Sequence, residues 1–138
     1  MDRRFDTKIV VALRDDLLPW QALNVTAFLT SGVAAAVPEV VGEPYEDADG
    51  TPYLALIGQP VVVLQGSLEQ LRTAHAKAVD RNHAVAVYTR EMFTTDHDEA
   101  NRAAVRAVPR AELDLVGLAV HGPRNGVDKA TKGLALHP

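Results

Sequence analysis

The sequence of 138 residues contains no cysteine, and this absence excludes disulfide bonds, thiolate metal sites and cysteine nucleophiles together. An excess of basic residues is also missing: the formal net charge is -4, which gives no overall attraction to a polyanion. No apolar run near Met1 is long enough for a signal peptide. We therefore expect a cytoplasmic protein that folds as one domain over residues 1–138.

A long uninterrupted apolar run is missing as well. A helix that crosses a bilayer needs about 20 predominantly apolar residues. The stretch 20–37 approaches this length, but Gln21, Asn24 and Thr26 are among the polar side chains that interrupt it. We interpret it as a buried helix and expect no contact with a membrane.

The charge is distributed unevenly along the chain. Residues 101–138 contain six Lys or Arg and three Asp or Glu, so the negative charge is concentrated in residues 1–100. The C-terminal third can therefore present a local phosphate-facing patch, or a solvated face with internal ion pairs. The sequence leaves both interpretations open.

The apolar pattern predicts four main strands and four helices. The predicted strands are 8–13, 61–65, 84–88 and 113–121, and the predicted helices are 17–37, 68–82, 98–107 and 127–132. The second helix starts at a capping box formed by Ser67 and Gln70, and the first should end before Pro38. An acidic stretch, 39–59, predicts a hairpin around Asp49 and Gly50.

This order of elements predicts the α/β class. We expect a three-layer α/β/α sandwich around a mixed, mostly parallel sheet of four to five strands. Strands 61–65 and 84–88, with the helix between them, should form a βαβ unit whose strands pair in parallel.

Polar side chains follow the first and third predicted strands, where open α/β sheets place their ligands. Asp15 and Asp16 could instead face the positive end of the first helix, and Thr94, Thr95 and Asp96 could cap the helix that follows them. The candidate groove residues are Arg14, Asp16, Asn24, Thr89, Thr94, Thr95 and His97.

Two of these candidates have a specific chemical rationale. His97 beside Asp96, Asp98 or Asp16 resembles half of a general acid/base system, although no serine occupies a nucleophile-elbow pattern. Asn24 carries an amide in the middle of an apolar helix, so it needs a polar neighbour or a ligand.

Motifs for metals and cofactors are not found. The acidic stretch 39–59 lacks the ligand alternation of an EF-hand, and the glycines do not follow either standard phosphate-binding loop. We therefore predict no metal site and no cofactor.

Three stretches, KIVVALRDDL, PVVVLQGSLEQL and GLAVHGPRNGVDKATKGLAL, occur in the order and spacing of a known superfamily. Together they resemble the type II peptidyl-tRNA hydrolases, and more closely an uncharacterised branch described only as a domain of unknown function. The resemblance implies the α/β/α fold, a homodimer and, in true hydrolases, cleavage of the ester between a peptide and tRNA.

The chain departs from the hydrolase pattern at its functional positions. Arg14, Asp16 and Leu17 match the R-x-D-L motif, but the lysine that follows it in hydrolases is absent, and residues 89–94 replace their Asp-Ala-Gly-x-Thr motif. The leading hypothesis is a non-hydrolase that binds a small ligand or a protein partner in the ancestral groove. The alternatives are a surviving peptidyl-tRNA hydrolase, which the acidic charge disfavours, and a structural dimerisation module. A homodimer is also indicated by the apolar circumference of helix 17–37.

Overall fold

A computed structural model describes residues 5–138, so residues 1–4, most of the N-terminal segment considered for a signal peptide, lie outside the described residues. The strands are β1 (Thr7–Arg14), β2 (Tyr45–Glu46), β3 (Pro52–Tyr53), β4 (Val61–Gly66), β5 (Ala84–Thr89), β6 (Leu115–Pro123) and β7 (Ala135–Leu136). The helices are α1 (Pro19–Ala36), α2 (Leu68–Asp80), α3 (Asp98–Arg106) and α4 (Arg124–Ala130). Short 3-10 turns occupy Pro38–Val40, Arg90–Phe93 and Arg110–Glu112.

The main sheet has five strands in the order β5-β6-β1-β4-β7. The expected mixed sheet is confirmed, but the expectation that it is mostly parallel is wrong, because among the strands of residues 5–138 only β1 and β4 pair in parallel. The predicted pairing of the βαβ strands is also wrong. Strands β4 and β5 lie in one sheet and run in the same direction, yet β6 and β1 separate them.

Burial explains this order. Ile9 to Leu13 in β1 are at most 2% exposed, and β6 is equally buried from Leu115 to Val120. Strands β4 and β5 are only partly buried over most of their length. Because strands that are apolar on both faces are most stable in the interior of a sheet, β1 and β6 occupy its centre.

Helices cover both faces of the sheet, which gives three layers. On one face, Ile9, Val11 and Leu13 pack against α1, whereas on the other Val10 and Ala12 pack with residues of α2 and α4. This division follows from the alternation of side chains along a strand.

Helix α1 has the predicted end, which precedes Pro38. It buries one stripe against the sheet, Ala22, Val25, Leu29 and Val33, and leaves Leu23 74% exposed. Neither Asp15 nor Asp16 caps this helix, since its N-cap is Leu18; that they face its positive end stays a prediction.

Two other local predictions, the capping box and the hairpin, are confirmed. Ser67 Oγ accepts a hydrogen bond from the Gln70 backbone N–H, and the Gln70 side chain accepts one from the Ser67 N–H, which completes the capping box. Strands β2 and β3 form the predicted hairpin, with Gly50 in the left-handed region at a φ of 82°. Within residues 5–138, no helix is long and apolar enough to cross a bilayer.

Gly117 allows α1 to approach the centre of the sheet. A Cβ atom at this position would lie 2.6 Å from Val25 Cγ1 and 3.0 Å from Leu29 Cδ1, both on buried side chains that have little room to move. We predict that Gly117→Ala lowers the free energy of unfolding by about 1–3 kcal/mol, measured by urea denaturation.

Gly32→Ala is the matched control, because a Cβ at this α1 position would meet only Ala86 Cβ, at 3.4 Å. Removing a glycine from a helix interior should raise the free energy of unfolding by about 0.5–1 kcal/mol. Equal destabilisation by both substitutions would contradict the role assigned to Gly117.

Candidate functional site

The ends of β1 and β5 and the start of β6 meet at one edge of the sheet, where four charged side chains form a network. Arg14 Nη1 donates to Asp114 Oδ1 and to the Leu115 carbonyl, each at 3.0 Å, and Arg14 Nη2 lies 3.2 Å from Asp16 Oδ2. Arg90 approaches the same two carboxylates, at 3.5 Å to Asp16 and 3.7 Å to Asp114. The positive charges of the two arginines therefore compensate the negative charges of the two aspartates. The network also connects the strand ends.

A cleft of about 320 Å³ lies beside this network, between α1, the end of β5 and the residues that lead into α3. It is lined by Trp20, Asn24, Phe28, Tyr88, Met92, Phe93, Thr95, Asp96, His97, Asp98 and Asn101. We call it the aromatic cleft. Within residues 5–138, its lining includes two carboxylates and neither lysine nor arginine, but the Asp98 carboxylate is paired with Arg102 of α3.

The wall of the aromatic cleft is a connected set of rings. Trp20 packs edge-on against Phe93 with a centroid distance of 5.9 Å, Phe93 lies 5.3 Å from Tyr88, and Tyr88 lies 5.9 Å from Phe28. Four of the seven aromatic residues in the chain therefore line one cleft. Trp20 and Phe28 are 57% and 56% exposed, so their rings remain accessible to a ligand.

Asn24 contributes an amide to this wall. Burial raises the pKa of the Tyr88 hydroxyl, and a hydrogen bond from the Asn24 side chain partly offsets the rise. The polar neighbour that we expected for Asn24 is thus the hydroxyl of Tyr88, which also lines the cleft. Trp20, Asn24 and Phe28 are spaced at i, i+4 and i+8, which puts them on one helix face distinct from the buried stripe.

His97 has a structural role that the sequence did not predict. Its Nδ1 accepts a hydrogen bond from the Ala100 N–H at 3.1 Å, so His97 caps α3, and the expected capping by Thr94, Thr95 or Asp96 is wrong. Nδ1 consequently carries no proton. The other ring nitrogen lies 3.6 Å from Asp96 Oδ1 at the exposed rim of the cleft.

Three of the seven predicted groove residues line the aromatic cleft, namely Asn24, Thr95 and His97. The adjacent network contains Arg14 and Asp16, whereas the exposed Thr94 hydroxyl donates to the Glu91 carbonyl at 2.9 Å. Strands β1 and β5, which carry the predicted polar ends, are not direct neighbours, because β6 lies between them and brings Asp114 to the edge.

The sequence pattern did not predict the aromatic members of the site. Trp20 and Phe28 could have been found from their helical spacing around Asn24, but Tyr88 and Phe93 belong to a separate strand and turn.

Within residues 5–138, no three His, Asp or Glu side chains are grouped closely enough to hold a metal ion.

Thr89 is buried at 2% exposure, and its hydroxyl has no hydrogen-bond partner within residues 5–138. An unpartnered buried hydroxyl costs free energy, so Thr89→Val should raise the free energy of unfolding by about 1 kcal/mol. Thermal or urea denaturation measures this change.

Thr131→Val is the matched control, since the buried Thr131 hydroxyl donates to the Val127 carbonyl at 2.8 Å. Loss of this bond should lower the free energy of unfolding by about 1 kcal/mol. A loss of stability in Thr89→Val as large as that in Thr131→Val would show that the Thr89 hydroxyl is hydrogen-bonded.

Comparisons with known proteins agree with this architecture. A model of the DUF2000 family, described as a protein of unknown function, matches residues 7–138. A solved structure of Atu0240, a protein of unknown function from Agrobacterium tumefaciens str. C58, is 47% identical, with a TM-score of 0.94 over 97% of this chain and 99% of that one. No match was found among curated proteins. These comparisons do not confirm the peptidyl-tRNA hydrolase II branch, but the family match covers nearly the whole chain, which therefore belongs to the DUF2000 family of proteins of unknown function.

Proposed function

We propose that the protein binds a small organic cation in the aromatic cleft. The observation that carries this proposal is the composition of the cleft, which within residues 5–138 combines four aromatic rings and the Asp96 carboxylate with no lysine or arginine in its lining. The faces of aromatic rings attract cations, and carboxylates add to this attraction. The ligand class is therefore an amine or quaternary ammonium compound with an apolar body.

The dimensions and polar groups of the cleft support a small ligand. A volume of about 320 Å³ is at the lower end of the range for ligand sites, which starts at about 300 Å³. The Tyr88 hydroxyl, with its Asn24 partner, and Asn101 supply hydrogen-bonding groups among the rings. Such a few polar groups in a largely apolar cleft can orient a ligand.

We further propose that this cleft is the ancestral groove of a peptidyl-tRNA hydrolase II-like fold and that hydrolysis has been lost. Arg14 and Asp16, which match the R-x-D-L motif of the hydrolases, belong to the charged network beside the cleft. Thr95, the nearest hydroxyl to His97 in sequence, donates to the Met92 carbonyl and also contacts the Asn101 side chain. The Nδ1 atom of His97 already accepts the Ala100 N–H, and the carboxylates of the cleft oppose a tRNA backbone.

Trp20 is the only tryptophan in the chain, so its fluorescence reports on the cleft directly. We predict saturable quenching or enhancement by choline, and weaker binding of 3,3-dimethyl-1-butanol, which has a similar shape but no charge. Phe28→Leu should weaken choline binding on the order of fivefold, because one ring face is removed.

Tyr45→Leu is the matched control, since Tyr45 is a similarly exposed aromatic residue on the β2–β3 hairpin, outside the cleft. Its substitution should leave choline binding unchanged. Equal binding of the cation and its neutral analogue would refute the proposal, and turnover of peptidyl-tRNA by the purified protein would favour the hydrolase alternative.

The homodimer remains a proposal, supported by the exposed apolar side chains of α1. Leu23 is 74% exposed, whereas the buried stripe of the same helix is at most 9% exposed. We predict a dimer by light scattering at micromolar concentration and its dissociation by Leu23→Glu. Leu136→Glu, at a residue of β7 with a similar exposure of 73%, should leave the dimer intact. A wild-type monomer would remove this part of the proposal.

A further inference from the structure

A second cleft lies at the opposite edge of the sheet, where β6 ends and β5 begins. Its volume is about 700 Å³, and its polar lining includes Arg81, His83, His121, Asn125 and Lys129. Among residues 5–138, no acidic residue lines it. We call it the basic cleft, because its charges are opposite in sign to those of the aromatic cleft.

The two cations of the basic cleft are uncompensated. Within residues 5–138, neither Arg81 nor Lys129 forms an ion pair, whereas Arg14, Arg72 and Arg90 all do. The nearby Asp128 carboxylate is already paired with Lys8, at 2.6 Å. Two unpaired cations without acidic neighbours in the lining attract an anion.

His83 supplies a third polar group that lacks a partner. Its Nε2 atom is buried and forms no hydrogen bond within residues 5–138. A buried ring nitrogen without a partner costs free energy, which an anion would recover by accepting a hydrogen bond from it. The tautomer with the proton on Nε2 provides that donor.

Two glycines create the space in which these groups meet. A Cβ atom at Gly122 would lie 2.4 Å from His83 Nδ1, and one at Gly126 would lie 3.0 Å from His83 Nε2. A Cβ atom at Gly126 would also lie 3.8 Å from Arg81 Nη1. The guanidinium group and the buried imidazole therefore converge at Gly126, and only a residue without a side chain fits between them.

We propose that the basic cleft binds the phosphate group of a small phosphomonoester. Arg81 and Lys129 supply charge, and His83 Nε2 and the Asn125 amide supply further hydrogen bonds. A phosphate presents more acceptor oxygens than a carboxylate and suits donors that converge from several elements. The volume of about 700 Å³ leaves room for the organic part of the ligand. This site is separate from the aromatic cleft, and its test does not depend on the cation proposal.

Phenyl phosphate is the probe, titrated at constant ionic strength and followed by amide NMR shifts of residues 81–84 and 121–129. We expect saturable binding, weakened about tenfold by Arg81→Gln and by Lys129→Gln, because each removes one charge-assisted hydrogen bond. Gly126→Ala should also weaken binding, since its methyl group would occupy the space beside His83 Nε2. Retained amide dispersion in each variant shows that it remains folded.

Lys132→Gln is the matched control, since it removes the same charge from the same C-terminal region but from an exposed residue outside the cleft. It should leave the affinity unchanged. The proposal is overturned if phenyl phosphate does not bind at millimolar concentration, or if Lys132→Gln weakens binding as much as Lys129→Gln. Tighter binding of a single-stranded oligonucleotide than of phenyl phosphate would overturn it in favour of a nucleic-acid surface.

Discussion

The burial of β1 and β6 on both faces is the constraint on which the rest of the structure depends. Ile9 to Leu13 and Leu115 to Val120 are nearly inaccessible to solvent, and each strand needs neighbours on both sides and helices on both faces. A strand apolar on both faces buries less apolar surface at the edge of a sheet than at its centre. Placing these two strands together at the centre leaves β5 and the pair β4 and β7 for the outer positions.

This arrangement also forms the edge of the sheet that carries the charged network. Because β6 runs antiparallel between β1 and β5, its start lies beside their ends, and Asp114 reaches both Arg14 and Arg90. An all-parallel order would have placed the start of β6 at the other edge. The network holds the end of β5 next to the turn that carries Phe93, and Phe93 packs against Tyr88. Through Asp114, β6 therefore helps to position the wall of the aromatic cleft.

The two clefts lie at opposite edges of the sheet and are lined by different kinds of side chains. The aromatic cleft combines rings with carboxylates, whereas the basic cleft combines uncompensated cations with histidines. Of the six basic residues in 101–138, only Lys129 lines the basic cleft, so the uneven charge of the sequence did not by itself predict this cleft. Arg81 and His83 come from the other part of the chain, and the fold brings them to α4 through the position of β5.

The sequence by itself determined the elements whose signals are local. The capping box at Ser67, the end of α1 before Pro38 and the hairpin turn at Gly50 each depend on residues within a few positions of one another. Continuous apolar runs likewise identified the strands, because burial on both faces leaves no polar alternation. The sequence also showed that polar residues follow the first and third strands. Three of the seven candidate groove residues line the aromatic cleft.

Only the tertiary structure decided the strand order, the direction of β6 and the meeting of Tyr88 and Phe93 with α1. It also made His97, rather than a threonine, the cap of α3. The physical reason is that strand pairing satisfies the same backbone hydrogen bonds in parallel and antiparallel neighbours, so local sequence does not choose between them. That choice depends on burying β1 and β6 together, an interaction between residues more than 100 positions apart.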